Sequence, residues 1–128
     1  MTAARIYELG APASGAVIAP VDPTTEKAKS STLTELLTSV ALTGSATWDA
    51  GEIADGDEEA KEITVTGAAL GDFVLVSHGV DVADLAITAQ VTAASTVTAT
   101  LLNNTGGPLD LTSTTVRAVV LPKSLFGL

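Results

Sequence analysis

Between Glu62 and Ser77 the sequence reads EITVTGAALGDFVLVS. Ile63 and Val65 alternate with Thr64 and Thr66, the two-residue period of a strand with one wet face. Gly67 interrupts that run. Phe73, Val74, Leu75 and Val76 follow without a polar residue, which predicts a strand buried on both faces. Gly71 and Asp72 between the runs suit a turn. The stretch predicts an antiparallel pair of neighbouring strands, onto which the remaining strands are added.

The same period recurs downstream. Leu85, Ile87, Ala89 and Val91 alternate with Ala86, Thr88, Gln90 and Thr92. After the small residues Ala93, Ala94 and Ser95, Val97, Ala99 and Leu101 alternate with Thr96, Thr98 and Thr100. Two alternating runs separated by a few small residues predict a hairpin whose outer face is a set of threonines with Gln90. Asn103 to Pro108, NNTGGP, is the strongest turn signal in the chain. Leu109 to Leu111 is at most a short edge strand. Val116, Ala118 and Val120 mark the last strand, ended by Pro122. Upstream, Ser45 to Asp49 is a short strand holding Trp48, an aromatic anchor beside a turn.

Outside this region the periodicity fails. Pro12, Pro20 and Pro23 punctuate the first residues and oppose a continuous helix or central strand. They predict an extended N-terminal arm, with Arg5, Tyr7, Leu9 and Ile18 as its anchors. In residues 30–42, Leu33, Leu36, Leu37 and Val40 have helical spacing, while the threonines suit a strand equally well; a short helical or irregular segment is expected. The tail after Pro122 carries Leu125, Phe126 and Leu128, bulky apolar groups that predict docking on the domain itself or on a neighbouring subunit. The expected organisation is an arm over 1–42, a β domain over 43–121 and a tail over 122–128. Six or seven short strands with turn signals between them read as all-β, a small antiparallel β-sandwich or β-barrel.

Composition sharpens this picture. Nineteen threonines among 128 residues, with abundant valine, fit strands. Aromatic residues make up only 3%, so the core must be filled by Val, Leu, Ile and Ala. The formal net charge is −9. Nucleic-acid binding needs a basic face for the phosphates, and an anionic membrane surface would be repelled, so neither partner is expected. No apolar run approaches the roughly 20 residues that span a bilayer. The opening MTAARIYELG lacks the apolar core of a signal peptide, so synthesis in a cytoplasm without export by the standard route is expected. A β domain this small is marginal alone. Burying arm and tail on identical neighbours would add apolar area at about 25 cal/mol per Å², and a homo-oligomer, most simply a trimer with exchanged arms, is expected.

Candidate chemistry is sparse. The absence of cysteine removes disulfides, thiolate metal sites and a Cys nucleophile together. Asp49, Glu52, Asp55, Asp57, Glu58 and Glu59 supply the oxygens that a calcium ion takes, but their spacing is not that of an EF-hand loop, and they read as a solvated acidic loop. His78 is the only histidine and reads as a strand-end residue. Arg117 stands inside a strand and is expected to meet an acid or solvent. No phosphate loop, nucleophile elbow or H-E-x-x-H occurs. Facing carboxylates could in principle hydrolyse glycosides, but four aromatics give little material for a substrate cleft. The expectation is a non-enzyme with no cofactor and no metal.

From Trp48 to Leu121, TWDAGEIADGDEEAKEITVTGAALGDFVLVS and LAITAQVTAASTVTATLLNNTGGPLDLTSTTVRAVVL, the chain resembles small virion proteins of tailed bacteriophages. The shared features are a Trp-containing strand, a polar A-D-G loop, a G-A-x-x-G-D-F strand start, an N-x-T-G-G turn and a final Arg-containing strand. The acidic run 57–59 and the apolar tail depart from that pattern. The resemblance implies a capsid decoration, or cement, protein on the virion surface, trimeric and clamping the major capsid protein, with no catalytic residues. Contacts would come from Arg5, Tyr7, Leu9 and Ile18 of the arm and Leu125 and Phe126 of the tail. The alternative is a tail- or head-fibre module binding a host receptor, with which Thr-rich faces and Asn/Gly loops are also compatible.

Overall fold

A computed structural model describes residues 32–36 and 38–128. The chain divides into two compact units, Met1–Leu36 and Leu37–Leu128. In the first, residues 32–36 are helical, with Leu33 and Leu36 exposed. The arm anchors Arg5, Tyr7, Leu9 and Ile18 lie outside the described residues.

The second unit opens with helical residues 38–40 and is otherwise built of strands. They are β1 (Leu42–Trp48), β2 (Glu52–Ile53), β3 (Glu58–Thr64), β4 (Phe73–His78), β5 (Ala86–Ala93), β6 (Thr96–Leu102), β7 (Leu109–Asp110) and β8 (Thr114–Leu121), followed by a 3-10 turn at Lys123–Phe126. Two three-stranded sheets, ordered β1-β8-β4 and β3-β6-β5, form the body, and β2 pairs with β7 as a small ribbon. All pairings are antiparallel. The fold is all-β, as the alternating runs predict.

The expected hairpin is present. Ala89 faces Ala99 and Val91 faces Val97 across β5 and β6, with a bulge before Ala93. The turn places Ser95 at φ 58°, a left-handed conformation uncommon for a side-chain-bearing residue. Ser95 then acts as a latch. Its N–H donates to Ala68 O at 2.8 Å, its carbonyl accepts from Val65 N, and its hydroxyl accepts from Gly67 N.

Three expectations are corrected. The runs at 62–66 and 73–76 are not partners: β3 pairs with β6, and β4 pairs with β8, in different sheets. Alternation tells which face of a strand is buried but not which edge it pairs along. The apolar run of β4 is not buried on both faces either. Val74 and Val76 point to the core while Phe73 and Leu75 stand exposed. Finally, the acidic stretch is not one solvated loop. Glu52 and Ile53 form β2, with Ile53 buried, and Glu58 and Glu59 open β3.

The core lies between the two sheets. Ile63, Val97 and Leu101 from one sheet meet Val116, Val120 and Trp48 from the other, all buried. Each such side chain contributes roughly 1.5–3 kcal/mol by leaving water. At the β1 margin the two sheets approach closely. A Cβ on Gly44 would collide with the carbonyl oxygen of Thr64 and lie 2.8 Å from the Val65 side chain. Only glycine fits there.

Candidate assembly surface

The antiparallel register gives the body two distinct poles. At one, Trp48 lies opposite Thr114, His78 opposite Val116, and Glu58 and Ala86 both opposite Leu102. At the other, Leu42 lies opposite Val120, Phe73 opposite Leu121, and Thr64 opposite Thr96.

The first pole is acidic. Asp49, Glu52, Asp55, Asp57, Glu58 and Glu59 follow β1, and all are exposed. Asp81, Asp84 and Asp110, also exposed, come from the two other connections at this pole. These loops are fixed by one buried amide. Asn103 is fully buried, and its Nδ2 donates to Ile53 O at 2.7 Å and to Gly107 O at 2.8 Å. Its Oδ1 accepts from Thr105 N and Thr105 Oγ1. Its backbone N–H donates to Asp57 O, and its carbonyl accepts from Gly56 N. Asp55 Oδ1 accepts from Gly106 N at 2.8 Å, closing the link. The A-D-G loop and the N-x-T-G-G turn, read separately in the sequence, are thus one hydrogen-bonded unit. Among the described residues, no group of three or more His, Cys, Asp or Glu side chains could hold a metal ion.

The opposite pole is apolar. Phe73 and Phe126 meet edge to face with centroids 5.5 Å apart and planes at 89°. Their rings and Leu121 line an open, wholly apolar depression. Phe126 remains 59% exposed and Leu75 64%. Leu70, in the connection from β3 to β4, and Leu125 and Leu128, in the tail, are also exposed. The tail therefore docks on its own domain, as one of the two expected outcomes, yet keeps much apolar surface in water.

Asp72 holds the tail in place. Its Oδ2 accepts from Ala69 N at 2.9 Å, closing the turn, and its Oδ1 accepts from Lys123 N at 2.9 Å. The Lys123 ammonium donates to Leu70 O at 3.0 Å and lies 3.8 Å from Asp72 Oδ1. The Asp72 side chain is 4% exposed. The backbone N–H groups of Lys123 and then Ala69, with a smaller contribution from the Lys123 charge, hold its carboxyl below the usual carboxylate range despite opposing desolvation.

The sheet faces differ as well. On the outside of β3-β6-β5, Thr88, Gln90, Thr98 and Thr100 line a shallow polar groove, and Thr92 and Thr98 share a hydroxyl hydrogen bond of 2.7 Å. On the outside of β1-β8-β4, Arg117 is exposed between Ser45 and Ser77. Among the described residues, the strands of that sheet present no carboxylate there: its other outward residues are Thr43, Thr47, Thr115, Val119, Leu121, Phe73 and Leu75. Trp48 is 3% exposed, edge-on to His78 at 5.9 Å, so its ring is not offered for stacking. His78 ends β4, with Nδ1 3.2 Å from Val80 O.

Of the expected contact residues, Leu125 and Phe126 are described, and both belong to the apolar pole. Leu70, Phe73 and Leu75 join them there without having been singled out. The signal for Phe73 and Leu75 is the apolar outward half of β4, which the unbroken run Phe73 to Val76 makes look like interior. Comparison with protein-family models and with curated proteins gives no match for this chain.

Proposed function

We propose that this chain is a bacteriophage capsid decoration, or cement, protein. It binds the outer surface of the major capsid shell as a homotrimer and stabilises the shell by bridging subunits. The observation that carries this reading is the exposed apolar pole, from Leu70 to Phe126, on a β body whose opposite pole is acidic. An apolar surface of that kind supports contact with another protein. The acidic pole argues against an anionic partner, whether nucleic acid or membrane.

The arm, with Arg5, Tyr7, Leu9 and Ile18, and the tail, with Leu125 and Phe126, each lie across subunit seams of the shell. Repetition over the shell makes modest individual contacts strong by avidity. No catalytic step, cofactor or metal enters this role. The experiment is a copy count in purified virions, by densitometry against the major capsid protein, with location from low-resolution density. A copy number comparable to that of the capsid subunit, on the shell exterior, is expected. A small fraction of that number, at the tail or at a fibre, would replace this reading with the receptor-binding one.

A further inference from the structure

Asp55 and Gly56 are the only Asp–Gly or Asn–Gly pair in the sequence. In such a pair no side chain hinders the glycine nitrogen as it nears the aspartyl carboxyl carbon. Its attack on the acid form makes a five-membered succinimide: an N–C bond forms, a C–O bond breaks, and the amide proton leaves with the hydroxyl as water. Water then opens the ring at either carbonyl. One opening restores aspartate; the other gives isoaspartate, whose main chain is one carbon longer. Both residues are exposed, and a side chain at Gly56 would meet nothing within 4 Å, so neither crowding nor dryness prevents the reaction here. The turn nevertheless calls for this pair. Gly56 has φ 86°, a conformation that favours glycine, and Asp55 supplies the short acceptor that reaches Gly106.

We propose that Asp55–Gly56 is an isoaspartate-forming site that the Asn103 loop unit holds closed. Each reacting group is engaged by the opposite loop. Gly56 N, the nucleophile, donates to Asn103 O at 2.7 Å, and Oδ1 of Asp55, the electrophile, accepts from Gly106 N at 2.8 Å. The succinimide nitrogen carries no hydrogen, so ring closure takes the donor away from the carbonyl of Asn103, a fully buried residue. Stranding a buried acceptor is unfavourable, and approach to the ring already feels it. Both restraints depend on the Asn103 side chain, which braces Thr105 and Gly107 on one side and Ile53 on the other. The extra carbon of isoaspartate falls between two points that Asn103 fixes, Ile53 O through Nδ2 and Asp57 O through its backbone N–H. The product therefore breaks the unit that suppresses it, and loosening of the acidic pole becomes irreversible.

This inference does not rest on the virion reading, and its test uses the purified full chain alone. Wild type, Asn103→Ala, Thr105→Ala and Gly44→Ala are aged at mildly acidic pH, beside wild type unfolded in guanidinium chloride. Isoaspartate at residue 55 is followed by peptide mapping with electron-transfer fragmentation, and Trp48 emission verifies folding. Thr105→Ala removes only the two hydroxyl bonds to Asn103 Oδ1 and Gly107 O, so it tests the unit even where Asn103→Ala fails to fold. Gly44→Ala is a control destabilised away from these loops. Native wild type is expected to form isoaspartate at least about tenfold more slowly than the unfolded chain. Each folded loop variant is expected to form it at least about threefold faster than native wild type, with Gly44→Ala close to the wild-type rate. A native rate within about tenfold of the unfolded one overturns the inference. So do loop variants no faster than Gly44→Ala, since protection then comes from folding at large and not from Asn103.

Discussion

Asp72 and Lys123, 51 residues apart, are joined by a 2.9 Å hydrogen bond from the Lys123 amide to the Asp72 carboxylate, with the Lys123 ammonium 3.8 Å from the same oxygen. This link turns the end of β8 back over the start of β4 and brings Phe126 onto Phe73. The apolar pole exists as a shaped surface because of it.

Substituting Asp72→Ala is expected to free the tail while leaving the body folded. Limited trypsin digestion measures this directly, because Lys123 is the only trypsin site in the tail. Cleavage after Lys123 should accelerate in the variant, with the rest of the body still resistant.

The same carboxylate predicts a pH dependence. Its folded-state affinity for a proton is lowered, so the unfolded chain binds the proton more readily. The stabilisation is therefore fully present above the unfolded value of about 4, and is lost as pH falls through the lower folded value. Urea midpoints of wild type and Asp72→Ala should differ at pH 6 and converge as the pH falls below about 4.

Asn103 predicts the largest loss at a single polar residue. Asn103→Ala strands the buried carbonyl of Ile53 that its amide now satisfies, and removes one of the two donors to the Gly107 carbonyl, which keeps Thr105 Oγ1. Leaving a buried group unpaired costs about 1–3 kcal/mol, so a loss of that size is expected by urea unfolding. Asn103→Asp should be at least as damaging, because it points an acceptor at those two carbonyls.

Gly44 tests the close approach of the sheets. Gly44→Ala drives a methyl group into the Thr64 carbonyl, a backbone atom that cannot swing aside. A loss of about 1–3 kcal/mol is expected from overpacking. Thr98→Ala, on the outer face of the neighbouring sheet, should change stability by less than about 0.5 kcal/mol.

Much of the fold was legible because alternation is a local signal. Ile87, Ala89 and Val91 against Val97, Ala99 and Leu101 specified both strands and their pairing, since a short turn leaves no other partner. The pairing of β3 and β4 was not legible. The alternation of β3 marks its buried face, whereas the partners β6 and β8 are chosen by packing across the whole body. Phe73 and Leu75 were misplaced for a related reason. An apolar residue on an exposed face looks, in sequence, the same as one in the core, and here the exposure is what marks the candidate surface. The role of Asn103 was hidden because it joins loops 50 residues apart. Glu58 and Glu59 hid a strand start, because an acidic run reads as solvated whatever its backbone does.

The central claim is that the apolar pole is covered by protein when the chain assembles, and one measurement addresses it most directly. The chain has no cysteine, so Leu128→Cys and Gln90→Cys each introduce a unique thiol, at the apolar pole and on the Thr-lined sheet face. Leu128 is 72% exposed in the isolated chain. Maleimide labelling of the two variants is compared at low concentration and in the assembled state. The account predicts that labelling at position 128 slows at least about tenfold on assembly, the protection expected of a surface withdrawn from solvent, while position 90 keeps its rate. Equal labelling rates at 128 in both states would contradict it.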